Sequence, residues 1–432
     1  MLKTNDKVLY DLIQSESNRQ DEEIELIASE NYVSKNVLEA NWSILTNKYS
    51  EWYPGKRYYA WQEFIDKIEN LAIERARELF WAEYINVQPL SWSPANLACY
   101  LAVLQPWDTV LWLSLDQGGH LSHGHPLNFS GLLYNIIPYT LNKKTEIIDM
   151  DEVEKLAIEY KPKMILAWFS AYSRSLDWKR FRQIADKVGA ILMADIAHIA
   201  GLIAWWVLEN PVYYCDIVTT TTHKTLRWPR GAIIMSKEKY GPAIARAVFP
   251  WVQGWPHENL IAAKAVAFKE ALDPHFKIYA RQVVQNAKFL AKELINYWFK
   301  IVSNWTDNHL ILVDVFSSFG VTWKEAEKVL EIVGLSTNKN MIPYDLRKPL
   351  DPSWIRIWTP AATTRGMKEE EMKIIARIFT ESINILRKTK WYNSLVEDKS
   401  NMGIFENKNL INKLKPLKLE VLELCKKFPI YK

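Results

Sequence analysis

Glycine is the residue that this sequence lacks most. Only 14 of the 432 residues are glycine, about 3%, whereas globular proteins average about 7%. Tryptophan, normally a rare residue, occurs 20 times. Two of these tryptophans, Trp107 and Trp305, lie in short polar runs with the composition of tight turns. Turns use glycine because it adopts a positive φ angle at no steric cost, so a bulky ring is out of place there.

Cysteine is also scarce. The three cysteines, Cys99, Cys215 and Cys425, are far apart and show neither a disulfide framework nor the spacing of a metal site. Such a set is typical of a reducing compartment, and we expect a cytoplasmic protein. The net charge of +4 is small for this length and gives no reason to expect nucleic acid as a partner.

Long apolar runs without charges are missing as well. The first residues contain no signal-peptide core. The most apolar stretch, residues 189–208, is long enough to resemble a membrane span, but it contains Asp195 and His198. We therefore interpret it as a buried strand followed by a loop, and we expect no membrane association.

Short apolar runs alternate with helical patterns over the first two thirds of the chain. The runs with strand character are 109–115, 164–169, 191–198, 217–222 and 232–236. Strands separated by helices at this spacing predict a mostly parallel sheet covered by helices on both faces. In such sheets, ligands bind beyond the carboxyl ends of the strands.

The pattern changes after about residue 280. A long helical pattern, a strand at 309–315 and a second amphipathic helix through 372–386 predict a smaller α+β domain. Residues 389–410 are polar and predict a loose connection before a last helix at 416–427. The expected segments are an N-terminal helical arm at 1–60, a large domain at 61–280 and a small C-terminal domain at 281–432.

Two residues in these strand patterns carry a chemical signal. Lys224 follows four threonines, which suit an extended backbone, and Asp195 lies in an apolar strand pattern. A buried carboxylate is costly unless it is paired. A lysine that can form an imine and an aspartate that can pair with a pyridinium nitrogen are the groups that pyridoxal phosphate needs. The sequence therefore predicts a pyridoxal phosphate site.

Seven blocks of sequence carry a resemblance to a known family. They read LIASENY at 26–32, LTNKYSEWYPGKRYY at 45–59, GGHLSHG at 118–124, SAYSR at 170–174, DIAHIAGL at 195–202, TTTTHKTLR at 219–227 and TDNHL at 306–310. In this order they resemble serine hydroxymethyltransferase, a fold-type I pyridoxal phosphate enzyme. The resemblance covers about residues 8–388 and resumes at 422–429. It implies an α/β fold with a mostly parallel central sheet in the large domain and a smaller C-terminal α+β domain.

The resemblance also implies a reaction, in which serine and tetrahydrofolate interconvert with glycine and 5,10-methylenetetrahydrofolate. This is a transferase of one-carbon metabolism and amino-acid biosynthesis. Lys224 resembles the lysine that forms an imine with the cofactor, and Asp195 resembles the partner of its ring nitrogen. Glu51 resembles the carboxyl group that handles protons. The residues predicted to be catalytic are Lys224, Glu51, His223 and Asp195.

Further residues resemble those that surround the cofactor. His120 matches the imidazole that stacks on its ring, His198 and Ser170 match residues near its phenolic oxygen, and Arg230 matches an arginine that adjusts its environment. A phosphate needs close backbone N–H groups and hydroxyls. The set predicted to bind the cofactor is Ser91, Ser93, His120, Ser170, Asp195, His198, His223, Lys224, Tyr49, Arg230 and Gly254.

The substrates have their own predicted residues. Arg356 resembles the arginine that binds the substrate carboxylate in a bidentate manner, with Ser29 as its helper. Positions near the pterin of tetrahydrofolate are matched by Tyr58, Leu121 and Asn340. The predicted substrate-binding set is Ser29, Tyr59, Arg356, Tyr58, Leu121 and Asn340.

The resemblance implies a homodimer with shared active sites. In the family, the segment that contains Tyr49, Glu51 and Tyr59 reaches the site of the neighbouring subunit, and so does the loop at Gln253 and Gly254. Whether two dimers pair into a tetramer stays open.

The family also offers an explanation for the tryptophans. Seventeen of them stand where the family carries glycine: Trp42, Trp52, Trp61, Trp81, Trp92, Trp107, Trp112, Trp168, Trp206, Trp228, Trp251, Trp255, Trp298, Trp305, Trp323, Trp354 and Trp358. Counting them as glycine raises the glycine content to about 7%, the ordinary value. Our hypothesis is that the source organism reads UGA as glycine, whereas this sequence was translated with UGA as tryptophan. The alternative is a protein that is rich in tryptophan.

Two other functions stay open from the sequence. One is a serine or threonine aldolase that does not use folate, against which the folate-side matches argue. The other is a non-catalytic homologue, in which genuine tryptophans fill the phosphate loop.

Overall fold

The computed structural model describes residues 2–119, 122–340, 344–345, 353–395 and 408–431. The chain forms two compact units. The terminal unit contains Met1–Tyr32 and Gln282–Lys432, and the central unit contains Val33–Arg281.

The strands are numbered in chain order. They are β1 (Ile24–Glu25), β2 (Tyr84–Asn86), β3 (Thr109–Leu113), β4 (Asn135–Tyr139), β5 (Met164–Trp168), β6 (Ile191–Asp195), β7 (Ile217–Thr221), β8 (Ala232–Ser236), β9 (Lys300–Ile301), β10 (Leu310–Asp314), β11 (Leu335–Ser336), β12 (Asn338–Asn340) and β13 (Trp354–Trp358).

The α-helices are numbered in the same way. They are α1 (Leu2–Asn5), α2 (Lys7–Glu22), α3 (Lys35–Asn41), α4 (Glu63–Phe80), α5 (Trp92–Val103), α6 (Phe129–Leu133), α7 (Met150–Tyr160), α8 (Trp178–Val188), α9 (Ala200–Ile203), α10 (Gly241–Arg246), α11 (Glu258–Leu272), α12 (Pro274–Asn296), α13 (Val315–Phe319), α14 (Trp323–Val333), α15 (Pro360–Thr364), α16 (Glu369–Leu395) and α17 (Lys408–Lys427). Among the described residues, no helix has the length and apolar character needed to cross a membrane.

The central unit is built on a seven-stranded sheet in the order β2-β8-β7-β6-β5-β3-β4. The neighbouring pairs from β7 to β4 are parallel, whereas β8 pairs antiparallel with β7 and β2 pairs antiparallel with β8. Every residue of β5, β7 and β8 is buried, as is usual for a sheet covered on both faces. The predicted α/β fold with a mostly parallel sheet is confirmed.

The predicted strands of this sheet are present, although several end earlier than expected. The run 191–198 predicted a strand through His198, but β6 ends at Asp195. The Asp195 carboxylate accepts a hydrogen bond from the N–H of Ala197, two residues further on. A side chain that binds the backbone in this way turns the chain and so ends the strand. Because Asp195 pairs in register with Thr219 of the parallel strand β7, both strands lead to the same edge of the sheet.

The terminal unit has a four-stranded antiparallel sheet in the order β12-β13-β10-β9 and a short parallel pair, β1 with β11. Buried side chains from these strands pack with those of α14, α16 and α17 in one apolar cluster. The guanidinium of Arg365 is buried inside this unit, where it donates to the main-chain carbonyls of Glu23, Phe428 and Cys425. This arginine ties the end of α2 to the end of α17.

The prediction of a loose connection at 389–410 is wrong at both ends. Helix α16 continues to Leu395, and α17 begins at Lys408, well before the predicted start at 416. The polar residue Thr389 is accommodated because its hydroxyl donates to the carbonyl of Ile385 within the helix. The early start of α17 follows from Leu410 and Leu414, which are fully buried and extend its apolar face by two turns.

Candidate active site

Asp195 lies at the end of β6, between the parallel strands β5 and β7, and its side chain is fully buried. One carboxylate oxygen accepts from the N–H of Ala197 at 2.9 Å. The other lies 3.0 Å from Asn96 Nδ2 and 3.2 Å from His123 Nε2. Burial alone would raise the pKa of this carboxyl. Hydrogen bonds from His123, Trp92 and Ala197 outweigh burial and hold the pKa below its usual value, so the group is anionic.

A second layer of hydrogen bonds fixes the groups behind Asp195. The hydroxyl of Thr219 donates to Asn96 Oδ1 at 2.8 Å, and the hydroxyl of Tyr100 lies 3.1 Å from His123 Nδ1. Asn96 and Tyr100 share one face of α5 because they are four residues apart. Neither Asn96 nor His123 is among the site residues predicted from the sequence. His123 lies in the block 118–124 and could have been found there, whereas Asn96 had no comparable signal.

Lys224 lies in the turn after β7 and is only 3% exposed. The turn is fixed by hydrogen bonds from Thr222 N–H to the Gly231 carbonyl at 3.0 Å and from Arg227 N–H to the Lys224 carbonyl at 3.1 Å. The amine nitrogen lies 4.1 Å from the centre of the Trp92 ring. The Trp92 indole N–H also donates to Asp195. The fold therefore brings Lys224 and Asp195 against one aromatic ring.

Three more of the predicted residues lie near strand ends of the same sheet. Ser170 follows β5, and its hydroxyl is 3.5 Å from Nε2 of His198, which follows β6. His223 has a buried Nδ1 atom with no hydrogen-bond partner among the described residues. Burial, together with the charges of Lys224 and Arg230, lowers the pKa of His223 to about 3. Its imidazole is therefore neutral at physiological pH and can offer a nitrogen to a ligand.

The predicted phosphate residues lie at the start of α5. The helix begins at Trp92, and the side chain of Ser91, directly before it, makes no capping hydrogen bond. Ser91 and Ser93 are both exposed. The first N–H groups of a helix have no partner within it, so this end attracts anions. Arg230 and Gly254 are exposed as well, and the space around Gly254 is open.

The predicted residues of the 49–59 segment form an aromatic cluster. The rings of Tyr49 and Tyr59 are 5.1 Å apart, and those of Tyr58 and Tyr59 are 5.3 Å apart, both edge to face. The Tyr49 hydroxyl lies 3.4 Å from a carboxylate oxygen of Glu51. All three tyrosines are exposed, Tyr58 by 76%. The structure thus groups these four residues on the surface of the central unit.

In the terminal unit, Arg356 lies on β13 opposite Asn338 of β12. The Asn338 Oδ1 atom is 3.5 Å from Arg356 Nε, and it also accepts from the N–H of Ala28 at 3.3 Å. Asn338 therefore links Arg356 to the chain next to Ser29. Burial lowers the pKa of Arg356 to about 10, which leaves the guanidinium charged at neutral pH. Asn340 is the last residue of β12.

The predicted residues His120 and Leu121 lie outside the described residues.

A comparison with protein families supports the same assignment. A family model described as serine hydroxymethyltransferase matches residues 2–379. The chain belongs to the serine hydroxymethyltransferase family. Its function is the transfer of the hydroxymethyl carbon of serine to tetrahydrofolate, which yields glycine and 5,10-methylenetetrahydrofolate with pyridoxal phosphate as cofactor. The predictions of family, reaction and cofactor are confirmed.

The polar groups of this hydroxymethyltransferase fit its cofactor, but the indole of Trp92 does not. The buried carboxylate of Asp195, the amine of Lys224 and the Nδ1 atom of His223, which has no hydrogen-bond partner among the described residues, suit a pyridine ring that carries an aldehyde and a phosphate. Trp92 lies against both Asp195 and Lys224 and so fills the space that these two residues would share with a ligand. Cofactor binding therefore requires a small residue at position 92.

Proposed function

We propose that Lys224 and Asp195 hold pyridoxal phosphate in this hydroxymethyltransferase, with Lys224 linked to its aldehyde and Asp195 bonded to its ring nitrogen. The observation that carries the proposal is that both side chains meet at one flat ring whose N–H donates to Asp195. When bound, the cofactor withdraws electrons from the Cα atom of the substrate. Asp195 is held anionic by His123 and Ala197, and it keeps a proton on the ring nitrogen.

The other cofactor residues are proposed to take the roles that the resemblance implies. His198 and Ser170, which lie 3.5 Å apart, would hydrogen-bond the phenolic oxygen, and His120 would stack on the ring. The phosphate binds at the start of α5 through Ser91 and Ser93, where unpaired N–H groups favour an anion. The remaining proposed cofactor contacts are His223, Arg230, Tyr49 and Gly254. The neutral imidazole of His223 suits a phosphate oxygen because a ring N–H can donate to it.

The substrates are proposed to bind to the residues that the resemblance implies. Arg356 binds the α-carboxylate of serine through two parallel N–H donors, with help from Ser29. Glu51 handles the proton of the hydroxymethyl group, and Tyr59 lies beside it. The pterin of tetrahydrofolate contacts Tyr58, Leu121 and Asn340.

We also propose a cytoplasmic homodimer in which each subunit contributes its 49–59 segment to the site of its partner. The three cysteines are free, as a reducing compartment requires. Large apolar side chains other than tryptophan are exposed in the region from α3 to α4: Leu38, Ile44, Tyr58, Phe64 and Leu71. Exposed apolar side chains concentrated in one region are typical of a protein interface.

The tryptophans at family glycine positions are proposed to be glycine in the native protein. Six of them have a positive φ angle between 58° and 74°: Trp52, Trp61, Trp81, Trp107, Trp206 and Trp298. A positive φ is a genuine outlier for a bulky residue but is free of strain for glycine. The same six side chains are all exposed, so no burial offsets this strain.

Buried tryptophans at these positions give a second argument. The indole N–H groups of Trp112, Trp228, Trp323, Trp354 and Trp358 are buried without a hydrogen-bond partner among the described residues. A buried donor left unpaired is costly, and native proteins contain few of them. Trp205, which is not assigned to a family position, behaves differently, since its indole N–H donates to the Ala271 carbonyl at 2.5 Å.

Mass spectrometry of the native protein tests the glycine assignment directly. We expect the peptide that contains position 92 to have the mass of glycine there, and we call the chain with glycine at all seventeen positions the glycine form. A peptide that contains genuine tryptophan at position 92 would overturn this assignment. Codons other than UGA at these positions would do the same.

Cofactor titration of the glycine form tests the site. We expect the wild-type chain to bind pyridoxal phosphate with a visible absorbance band and to convert serine to glycine only with tetrahydrofolate present. Lys224→Ala removes the amine that is proposed to link to the cofactor aldehyde, so band and turnover should both disappear. Lys239→Ala, at an exposed lysine, is the control and should keep both. Retained turnover in Lys224→Ala would exclude the proposed site.

A further inference from the structure

The segment that leads into the phosphate loop is held by two side chains from elsewhere in the central unit. This segment, residues 87–90, connects β2 to Ser91 at the start of α5. Lys264 Nζ donates to the carbonyls of Val87 at 2.6 Å and Pro89 at 3.2 Å. Gln253 Nε2 donates to the carbonyl of Gln88 at 3.0 Å, and its Oε1 accepts from the N–H of Leu90 at 3.1 Å. Four successive residues of the 87–90 segment are therefore bound by Lys264 and Gln253.

The third hydrogen bond of Lys264 reaches the other side of the site. Its Nζ donates to the carbonyl of Ala232, the first residue of β8, at 3.0 Å. The Lys264 side chain packs so closely on Gly231 that a Cβ there would lie 2.7 Å from Lys264 Cε. The carbonyl of Gly231 accepts from the N–H of Thr222, two residues before Lys224. Lys264 thus joins the 87–90 segment to the strand that supports the lysine turn.

Burying the amine of Lys264 costs free energy, so packing alone does not explain a lysine at this position. It lies on α11, it is 2% exposed, and it forms no ion pair with a described carboxylate. Burial lowers its pKa to about 7, while the charges of Glu69 and Glu258 act in the opposite direction. Burial removes the amine from water. If packing were the only role of Lys264, an apolar side chain of similar size could replace it with little loss of stability. Its three carbonyl acceptors are the feature that an apolar side chain cannot supply.

We propose that Lys264 and Gln253 are positioning residues that hold Ser91, Ser93 and the start of α5 in the geometry that binds the cofactor phosphate. This inference rests on the proposed binding of pyridoxal phosphate at that helix end. It assigns the Gln253 side chain to the site of its own chain, whereas the resemblance implies that the loop at Gln253 reaches the site of the neighbouring subunit. The mechanism needs no contact between Lys264 and the cofactor. Small displacements of a binding loop are enough to weaken a site whose donors must converge on one phosphate.

The test uses the full-length glycine form and two probes that differ only in the phosphate. Pyridoxamine 5′-phosphate and pyridoxamine bind without a covalent link to Lys224, so their dissociation constants report the shape of the site. The variants are Lys264→Met, which keeps the length of the side chain, and Gln253→Leu, which leaves the lysine in place. Lys269→Met, at an exposed lysine of the same helix, is the matched control.

We expect Lys264→Met and Gln253→Leu each to weaken pyridoxamine 5′-phosphate roughly tenfold or more, with much less effect on pyridoxamine and none from Lys269→Met. Circular dichroism should show folded protein, and if Lys264→Met does not fold, Gln253→Leu decides the question. Unchanged affinity for the phosphate-bearing probe, or an equal loss for both probes, overturns the inference and leaves the proposed function in place. Failure of the wild-type glycine form to bind either probe overturns both.

Discussion

Side chains that carry charge inside the central unit determine how this protein responds to pH. Arg57 donates to Glu69 at 2.6 Å and to Asp66 at 2.8 Å, and the hydroxyl of Ser50 donates to Glu258. These groups anchor the 49–59 segment, which contains Glu51, to α4 and α11. Burial raises the pKa of Glu258 to about 7, so this carboxyl is partly protonated near neutrality. The anchor of a proposed catalytic segment is therefore sensitive to pH.

Glu258→Gln should remove part of this sensitivity. The folded pKa of about 7 lies above the unfolded value of about 4.3, so the contribution of Glu258 to stability is complete below the unfolded value and is lost as the pH rises to 7. Relative to wild type, the glutamine variant should gain about 2–3 kcal/mol in free energy of unfolding between about pH 4.5 and about pH 8. Urea denaturation at both pH values measures this gain. Glu63→Gln, at an exposed residue, is the control, and an equal gain there would contradict the argument.

At the scale of elements, helix α4 is followed by a tryptophan in a backbone conformation that favours glycine. Helix α4 ends at Phe80, and the next residue, Trp81, has φ of 62° and ψ of 31°, with its N–H donating to the carbonyl of Arg77. This is the left-handed conformation in which helices usually end with glycine. By contrast, Gly189 and Gly334 end α8 and α14 in the same conformation without strain.

The strain of a tryptophan in the left-handed conformation can be measured by placing one tryptophan back into the glycine form. Tryptophan at position 81 should lower the free energy of unfolding by about 1–2 kcal/mol, because a side chain in the left-handed region crowds the backbone and Trp81 is 64% exposed. Trp42 provides the control, since it follows α3 with φ of −104° and is 84% exposed. Tryptophan at position 42 should change stability by a few tenths of a kcal/mol at most. Equal losses at the two positions would show that the φ angle is not the cause.

Much of the element order could be predicted from the sequence. The strands that become β3, β5, β6 and β8 are predicted because most of their residues are apolar. The strand β7 is predicted because its β-branched threonines suit an extended backbone. Their ends were less predictable, since the end of β6 depends on a hydrogen bond from the Asp195 side chain. Asn96 and Lys264 could not be predicted as supporting residues, because their partners are distant in sequence and become neighbours only in the fold.

At the scale of the whole molecule, the proposed active site needs more than one chain. Lys224 and Asp195 are buried in the central unit, whereas Glu51 lies in a surface segment with exposed aromatic side chains. A proton-handling carboxyl is of no use at an exposed surface unless something covers it. In the homodimer proposed above, a partner subunit would supply that cover and would receive the same segment in return.

Mixed dimers test whether the sites are shared. In the glycine form, Lys224→Ala and Glu51→Gln should each be inactive as pure proteins, because one lacks the amine and the other lacks the carboxyl group. Unfolding and refolding an equal mixture forms hybrid dimers, in which one site takes Lys224 from one chain and Glu51 from the other and is intact. About a quarter of the wild-type turnover should then return, since about half of the dimers are hybrids and each has one intact site. Wild-type glycine form taken through the same unfolding and refolding supplies the reference turnover, and each variant refolded alone should stay inactive. Absence of any recovered turnover, with hybrid dimers demonstrated by mass, would show that Glu51 acts in its own chain.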